Sequence, residues 1–280
     1  MSSVSVPVLG FPQESDPPGE AGGDAFAHPD FYDLNQIQQR LQLTNEQFQE
    51  FHRRWDAVVR IETPGGWGTG YLYQTPNGRA IMTNSHVVED HLVTDIIVHF
   101  FAEHGEQPIL CQGTQRMAES PPVAHADDRN LDFYFFEFQL PANDSQRNRI
   151  LDVICDRWEE SARVQIAENP GELIGLMPQD FTVNGQTALV MIGHPRGGLK
   201  KLSIGHLLNQ NQQPFSASSI RQYFMKSRPG NSGSPVFVHV GFKNDRIFAP
   251  YPLLLHFRNQ LGLLFQEGIA DVIRAQFQNP

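Results

Sequence analysis

Two hydrophobic periodicities divide the chain. Leu34, Ile37 and Leu41 recur at intervals of three and four, and so do Phe48, Phe51 and Trp55, which follow Thr44-Asn45-Glu46-Gln47, a capping box that opens a helix. This spacing predicts a helical extension over residues 31–56 packed on the outside of a larger domain; a regulatory or partner-docking segment is the other reading. Beyond it the period shortens to two. Short apolar or alternating runs at 58–61, 70–74, 80–83, 95–101, 133–138, 171–176, 188–193, 201–208, 223–226, 235–240 and 253–257 predict strands, with Pro76-Asn77-Gly78 as a hairpin turn. Residues 269–280 read as a closing helix with Ile269, Val272, Ile273 and Phe277 on one side. Residues 1–30 hold Pro, Gly, Ser and acid, with too few bulky apolar groups to offset ordering entropy, and are expected to form a flexible arm. Many short strands without alternating helices predict an all-β sandwich or barrel. No internal repeat occurs.

Composition narrows the class. At 280 residues the chain accommodates one large β domain or two small ones, each with a buried core. Cys111 and Cys155 are too few for a disulfide framework, and no Cys-x-x-Cys spacing points to zinc or thiol chemistry, which suits a reducing compartment. Met1-Ser2-Ser3-Val4-Ser5-Val6-Pro7 lacks the basic start and apolar run of a secretion signal, and no segment offers the roughly 18 apolar residues of a membrane span. A cytoplasmic protein is expected. With 31 acidic and 21 basic side chains, the net charge of −10 opposes general attraction to nucleic acid or an anionic membrane. Arg196, Lys200 and Lys201 form only a small local basic cluster.

The candidate chemistry centres on Arg228-Pro229-Gly230-Asn231-Ser232-Gly233-Ser234-Pro235-Val236. Gly230 and Gly233 let the backbone approach a substrate carbonyl with its N–H groups available, and Ser232 between them reads as a nucleophile. An ordinary glycine-rich turn is the competing reading of this stretch alone. A serine hydroxyl needs a base within hydrogen-bond reach and a third group to hold that base in one tautomer. His86 follows the apolar run at 80–83, and Asp132 opens the aromatic run at 133–138, where a buried carboxylate needs a cationic partner. Asp127 and Asp128 compete for the orienting role but lie in a polar stretch that reads as a solvated turn. His86, His91, His99 and His104 lack a metal-binding spacing, so no metal and no cofactor is expected.

These segments together resemble the trypsin-like (chymotrypsin-fold) serine peptidases, in particular the glutamyl endopeptidases and the protease domain of the HtrA group. Gly66-Trp67-Gly68-Thr69-Gly70-Tyr71 is similar to the family's glycine-rich early strand, Thr83-Asn84-Ser85-His86-Val87-Val88 to its histidine motif, and Asn130-Leu131-Asp132-Phe133 to its aspartate motif. Ile192-Gly193-His194-Pro195-Arg196-Gly197 is similar to its Gly-x-Pro turn, and Gly230-Asn231-Ser232-Gly233-Ser234-Pro235-Val236 to its nucleophile motif. The order His, Asp, Ser is that of the chymotrypsin group. The resemblance implies two six-stranded antiparallel β-barrels packed face to face over residues 57–268, the first at about 57–150 and the second at about 160–268, with catalysis between them. It implies that Ser232 attacks a peptide carbonyl, His86 transfers the proton, Asp132 orients His86, and the N–H groups of Gly230 and Ser232 bind the oxyanion. The substrate would be a protein or peptide.

Two departures from the family pattern change the expectation. Asn231 stands where many members have aspartate, which removes the carboxylate that captures a new N-terminus on zymogen activation. Arg228-Pro229 replaces small residues, an arrangement expected to stiffen or partly block the oxyanion turn. Ser227 and His256 occupy places that hold an acidic side chain in glutamyl endopeptidases; with Arg228 they imply a preference for Glu or Asp at P1, through hydroxyl and imidazolium donors. His256 as a core residue and Ser227 as a strand residue is the plainer reading. The alternative function is a latent protease-like binding or scaffold protein, with a regulatory partner engaging residues 1–56. An esterase is disfavoured because the Ser, Asp, His order of the nucleophile-elbow hydrolases is absent.

Overall fold

The computed structural model describes residues 31–40, 45–75, 78–103, 107–120, 132–157, 182–183, 186–207, 220–224, 227–238, 254–258 and 261–264. Two helices come first, α1 (Leu34–Arg40) and α2 (Asn45–Asp56), and strands dominate thereafter. The first sheet contains β1 (Val58–Thr63), β2 (Gly66–Thr75), β3 (Gly78–Thr83), β4 (Ile97–Phe100), β5 (Ile109–Ser120), β6 (Phe133–Phe138) and the short β7 (Asp156–Arg157). Its order is β1-β4-β5-β6-β3-β2-β7, and β1 also pairs with β2, so six strands close into an antiparallel barrel with β7 added parallel to β2. Closure removes the free sheet edges that would otherwise invite pairing with another chain.

The second sheet is built from β8 (Thr182–Val183), β9 (Gln186–Gly193), β10 (Lys201–Leu207), β11 (Ile220–Phe224), β12 (Pro235–Val238), β13 (Leu254–Arg258) and β14 (Leu261–Leu264). Its order is β10-β11-β14-β13-β12-β9-β8, with a further antiparallel pairing of β10 to β9. The molecule is thus mostly β with few helices. Tyr71 of β2 and Phe237 of β12 meet edge to face at 5.9 Å, which joins the apolar interiors of the two sheets. Aromatic packing also fills the first barrel, where Tyr73 lies edge to face with Phe135 and both are fully buried.

Several elements depart from the expected pattern. β5 is missing from the sequence reading because its twelve residues are largely polar, Leu110 points outward, and two bulges interrupt its pairing with β6 near Gly113 and Arg116. A further helix, α4 (Asp144–Leu151), buries only Ile150, so it carries almost no apolar period; its start is set by the Asn143 side chain, which accepts from the Gln146 N–H. His86 lies on a one-turn helix, α3 (Ser85–Val88), which the apolar runs did not indicate. Thr44, the strand expected at 171–176, the arm at 1–30 and the closing helix at 269–280 lie outside the described residues.

The Lys200–Lys201 pair is buried. The Lys200 ammonium is buried, donating to the Trp55 carbonyl at 2.7 Å and to Glu103 Oε1 at 2.9 Å, with the Trp55 ring 5.5 Å away. Lys201 pairs with Asp33 at 2.5 Å, and Tyr32 and Leu202 exchange backbone bonds of 2.9 and 3.0 Å. Phe51 and Trp55 of α2 are buried in the core, so this helix is part of the folded unit. Trp55→Ala is expected to lower unfolding stability by about 3–5 kcal/mol in urea titration; an unchanged midpoint would separate α2 from the cooperative core.

Candidate active site

β3 ends at Thr83, and the chain turns at Asn84 in an extended conformation before α3 starts, which presents His86 beside the start of β6. There Asp132, almost fully buried, adopts φ 44°, a left-handed conformation that aspartate tolerates better than most residues. One carboxylate oxygen accepts the His86 backbone N–H at 3.0 Å, and the other accepts from His86 Nδ1 at 2.7 Å. The Asn84 side-chain amide donates to the Asp132 carbonyl at 2.8 Å and fixes that peptide. With its proton on Nδ1, the neutral imidazole keeps its lone pair on Nε2, the tautomer a general base requires. Asp127 and Asp128 lie outside the described residues.

The segment around Ser232 is tied to the same strands. The Ser232 carbonyl accepts the Thr69 N–H at 2.8 Å, the Gly230 carbonyl accepts the Thr69 hydroxyl at 2.7 Å, and the Thr69 carbonyl accepts the Thr83 hydroxyl at 2.7 Å. Gly233 has φ +85°, and a Cβ there would come within 2.1 Å of the Thr69 carbonyl and 2.4 Å of Thr83 Oγ1. No residue but glycine fits. On the other side Gly233 donates to the His256 carbonyl and His256 to the Ser234 carbonyl, both at 2.8 Å. The structure therefore brings His86, Asp132, Ser232 and His256 into one region, framed by β2, β3, β12 and β13.

The turn at 228–231 accommodates Pro229. Asn231 N–H donates to the Arg228 carbonyl at 3.0 Å, and Gly230 has φ +92°. A four-residue turn with proline second and a positive-φ glycine third is a type II turn, in which the proline ring presets the required φ. Proline suits this turn. The Pro229 carbonyl accepts the Arg196 N–H at 2.5 Å. Because the two ends of a trans peptide point oppositely, this bond aims the Gly230 N–H away from residues 195–197.

The surroundings also correct the expected charge of His256. Burial, helped by His86, pulls His256 down to about 3, so the imidazolium donor invoked for an acidic P1 group is absent near neutral pH. Burial also holds His194 well below the ordinary histidine range; its Nδ1 lies 3.0 Å from the Gly198 carbonyl and its backbone N–H donates to Thr69 Oγ1 at 2.9 Å.

Residues 68–241 match the family model of the trypsin-like peptidase domain. This chain belongs to that family. It is a serine endopeptidase, a hydrolase acting on proteins or peptides. No curated protein sequence matches it. Among solved structures the peptidase is similar to Deg5, at 17% identity over 83% of this chain and 94% of that one, TM-score 0.48. It is similar to the serine endoprotease from Yersinia pestis at 14% identity, covering 82% and 66%, TM-score 0.48. The inactive form of the Rv3671c protease from M. tuberculosis gives 15%, 81% and 91%, TM-score 0.44. Among the described residues of the peptidase, no helix is long and apolar enough to cross a membrane.

Sequence reading overlooked Thr69 and Asn84 as site residues. The available signal was a hydroxyl among glycines in Gly66-Trp67-Gly68-Thr69-Gly70, where a strand without side chains admits another segment closely.

The buried histidines are expected to make the peptidase acid-sensitive. A folded pKa held below the unfolded value of 6.5 means that the unfolded chain binds the proton, so full stability is present above about pH 6.5 and is lost as pH falls toward the folded value. His194 and His256 together are expected to cost roughly 2–3 kcal/mol between pH 7.5 and 5.5. His52, raised mainly by its hydrogen bond to Asp56, opposes this, but it is about half exposed and counts for little. Urea titrations at the two pH values measure the difference, and His256→Gln should halve it. Equal stability at both would refute the assignment.

Proposed function

We propose that peptide hydrolysis proceeds by attack of Ser232 Oγ on the scissile carbonyl. His86 Nε2 takes the hydroxyl proton and returns it to the leaving amine, Asp132 holds His86 in the required tautomer, and the Gly230 and Ser232 N–H groups receive the oxyanion. The paired bonds from His86 to Asp132 carry this reading, because a buried carboxylate bound to both the backbone and the ring of one histidine is the orienting arrangement that a serine nucleophile needs. The type II turn at 228–231 supports a competent oxyanion site over the latent scaffold alternative. The catalytic unit is taken as residues 57–268, two barrels with the cleft between them.

Labelling by a fluorophosphonate probe, followed by intact mass, tests the assignment. Wild type is expected to gain one adduct, Ser232→Ala and His86→Ala none, and Asp132→Asn is expected to lose about 10⁴-fold in kcat for a peptide substrate. A folded wild type that stays unlabelled would refute the mechanism and favour the scaffold reading.

For specificity we propose a preference for Glu or Asp at P1. With His256 neutral, the reading rests on the Ser227 hydroxyl and a neutral His256 N–H as donors, with Arg228 supplying the charge. Cleavage of a peptide library is expected to show cuts after acidic residues, and Arg228→Ala to reduce the Glu over Gln preference about tenfold, the loss of one charge-assisted hydrogen bond. Cuts mainly after basic or large apolar residues would overturn it.

A further inference from the structure

The Pro229–Gly230 peptide has two orientations open to it. Proline at the second turn position serves both type I and type II turns, and glycine at the third favours the positive φ of type II without requiring it, so the turn residues alone do not fix the form that turns the Gly230 N–H away from the 195–197 segment. The Arg196 N–H does select it, by holding the Pro229 carbonyl. Arg196 itself is at φ 54° and ψ 27°, left-handed without being glycine, a conformation that persists only where the surroundings impose it.

Those surroundings lead to Arg60. The Arg60 Nη1 donates to the Gly197 carbonyl at 2.9 Å, next to Arg196 in the chain, while the Trp67 ring lies over Gly197 and 4.7 Å from the guanidinium. Arg60 Nη2 lies 2.8 Å from His99 Nδ1, which must accept because a guanidinium can only donate. The His99 proton is therefore on Nε2, which donates to Glu62 Oε2 at 2.6 Å. The pairing of strands explains the convergence. Arg60 on β1 is directly opposite His99 on β4 and Thr69 on β2, and residues so paired share a face. From this row Arg60 holds Gly197, and Thr69 holds His194 and Gly230, all three in turns that flank strands of the second sheet, while His99 backs Arg60.

We infer that Arg60 is a positioning residue of the oxyanion hole, acting through the Gly197 carbonyl and the Arg196 N–H on the Pro229–Gly230 peptide, with His99 and Glu62 holding the guanidinium in place. This rests on the proposed role of Gly230 in catalysis. Arg60 touches neither substrate nor the reacting atoms.

The test compares wild type, Arg60→Met and Arg60→Lys on an ester or peptide substrate and on a peptide boronic acid, whose tetrahedral adduct at Ser232 occupies the oxyanion hole. Arg60→Met is expected to lower kcat about 10- to 100-fold with KM unchanged, less than the about 10²–10³ of a deleted oxyanion donor. Boronate affinity should fall by a similar factor. Arg60→Lys, which keeps a donor for Gly197 and loses the arm to His99, should recover part of both; it also serves where the methionine variant fails to fold. Wild-type kcat and boronate affinity in a folded Arg60 variant overturn the inference, and so does a lowered thermal midpoint with boronate affinity intact, which marks a structural role only. A wild type that forms no adduct at Ser232 with boronate or fluorophosphonate overturns the catalytic reading itself, and the inference falls with it.

Discussion

Thr69 engages both of its donors and both of its acceptor oxygens at the junction of the two sheets. Its hydroxyl donates to the Gly230 carbonyl and accepts from the His194 N–H, its own N–H donates to the Ser232 carbonyl, and its carbonyl accepts the Thr83 hydroxyl. The side chain is completely buried, so none of these groups has water as a fallback. A valine of the same shape would strand a carbonyl on the nucleophile turn and an amide on the Gly-x-Pro turn together. The position of Ser232 relative to His86 follows from this arrangement. Thr69 fixes one and Thr83 leads directly into the other, and the two threonines sit on neighbouring, hydrogen-bonded strands. The spacing is therefore set by sheet geometry, with little left to the loops.

Charge in the region is arranged with the same economy. A carboxylate as deeply buried as Asp132 is tolerable only with hydrogen-bonded partners, and it has both the His86 ring and the His86 amide. Burial instead holds His194 and His256 neutral. Of these three imidazoles, that of His86 is the one bonded to Asp132, and the proposed proton transfer is assigned to it. The neutrality of His256 also limits how an acidic side chain could be read in a neighbouring subsite, because a buried neutral ring offers one N–H and no charge.

The strands that carry His86, Asp132 and Ser232 were legible because each motif sits against a short apolar or aromatic run, as at 80–83, 133–138 and 235–238. β5 and α4 were not, since Leu110 faces solvent, Ile150 alone anchors its helix, and neither segment has a hydrophobic period to read. Pro229 misled for a different reason. Proline restricts φ wherever it occurs, and whether that obstructs or preorganises depends on the turn type, which here is permitted by Gly230 and selected by the bond that the Pro229 carbonyl accepts from Arg196, far away in sequence. The charge of His256 was misjudged likewise, because burial is a property of the packed molecule.

The bonds that tie the second sheet to the first and to the helical extension share one property, which is distance along the chain. Thr69 to Gly230 spans 161 residues, Arg60 to Gly197 spans 137, Lys200 to Trp55 spans 145 and Lys201 to Asp33 spans 168. Each closes a long loop and is favourable only after other contacts have paid the entropy of bringing those segments together. The helical extension enters the same set, since Trp55 and Asp33 hold β10 immediately after the turn that captures the Pro229 carbonyl. A chain with one sheet formed and the other open would possess Asp132 and His86 but no constraint on the oxyanion turn. Hydrolytic competence on this architecture is thus a property of the docked whole, and the non-local polar contacts that make folding demanding are the same ones that keep an incompletely folded peptidase from having a finished site.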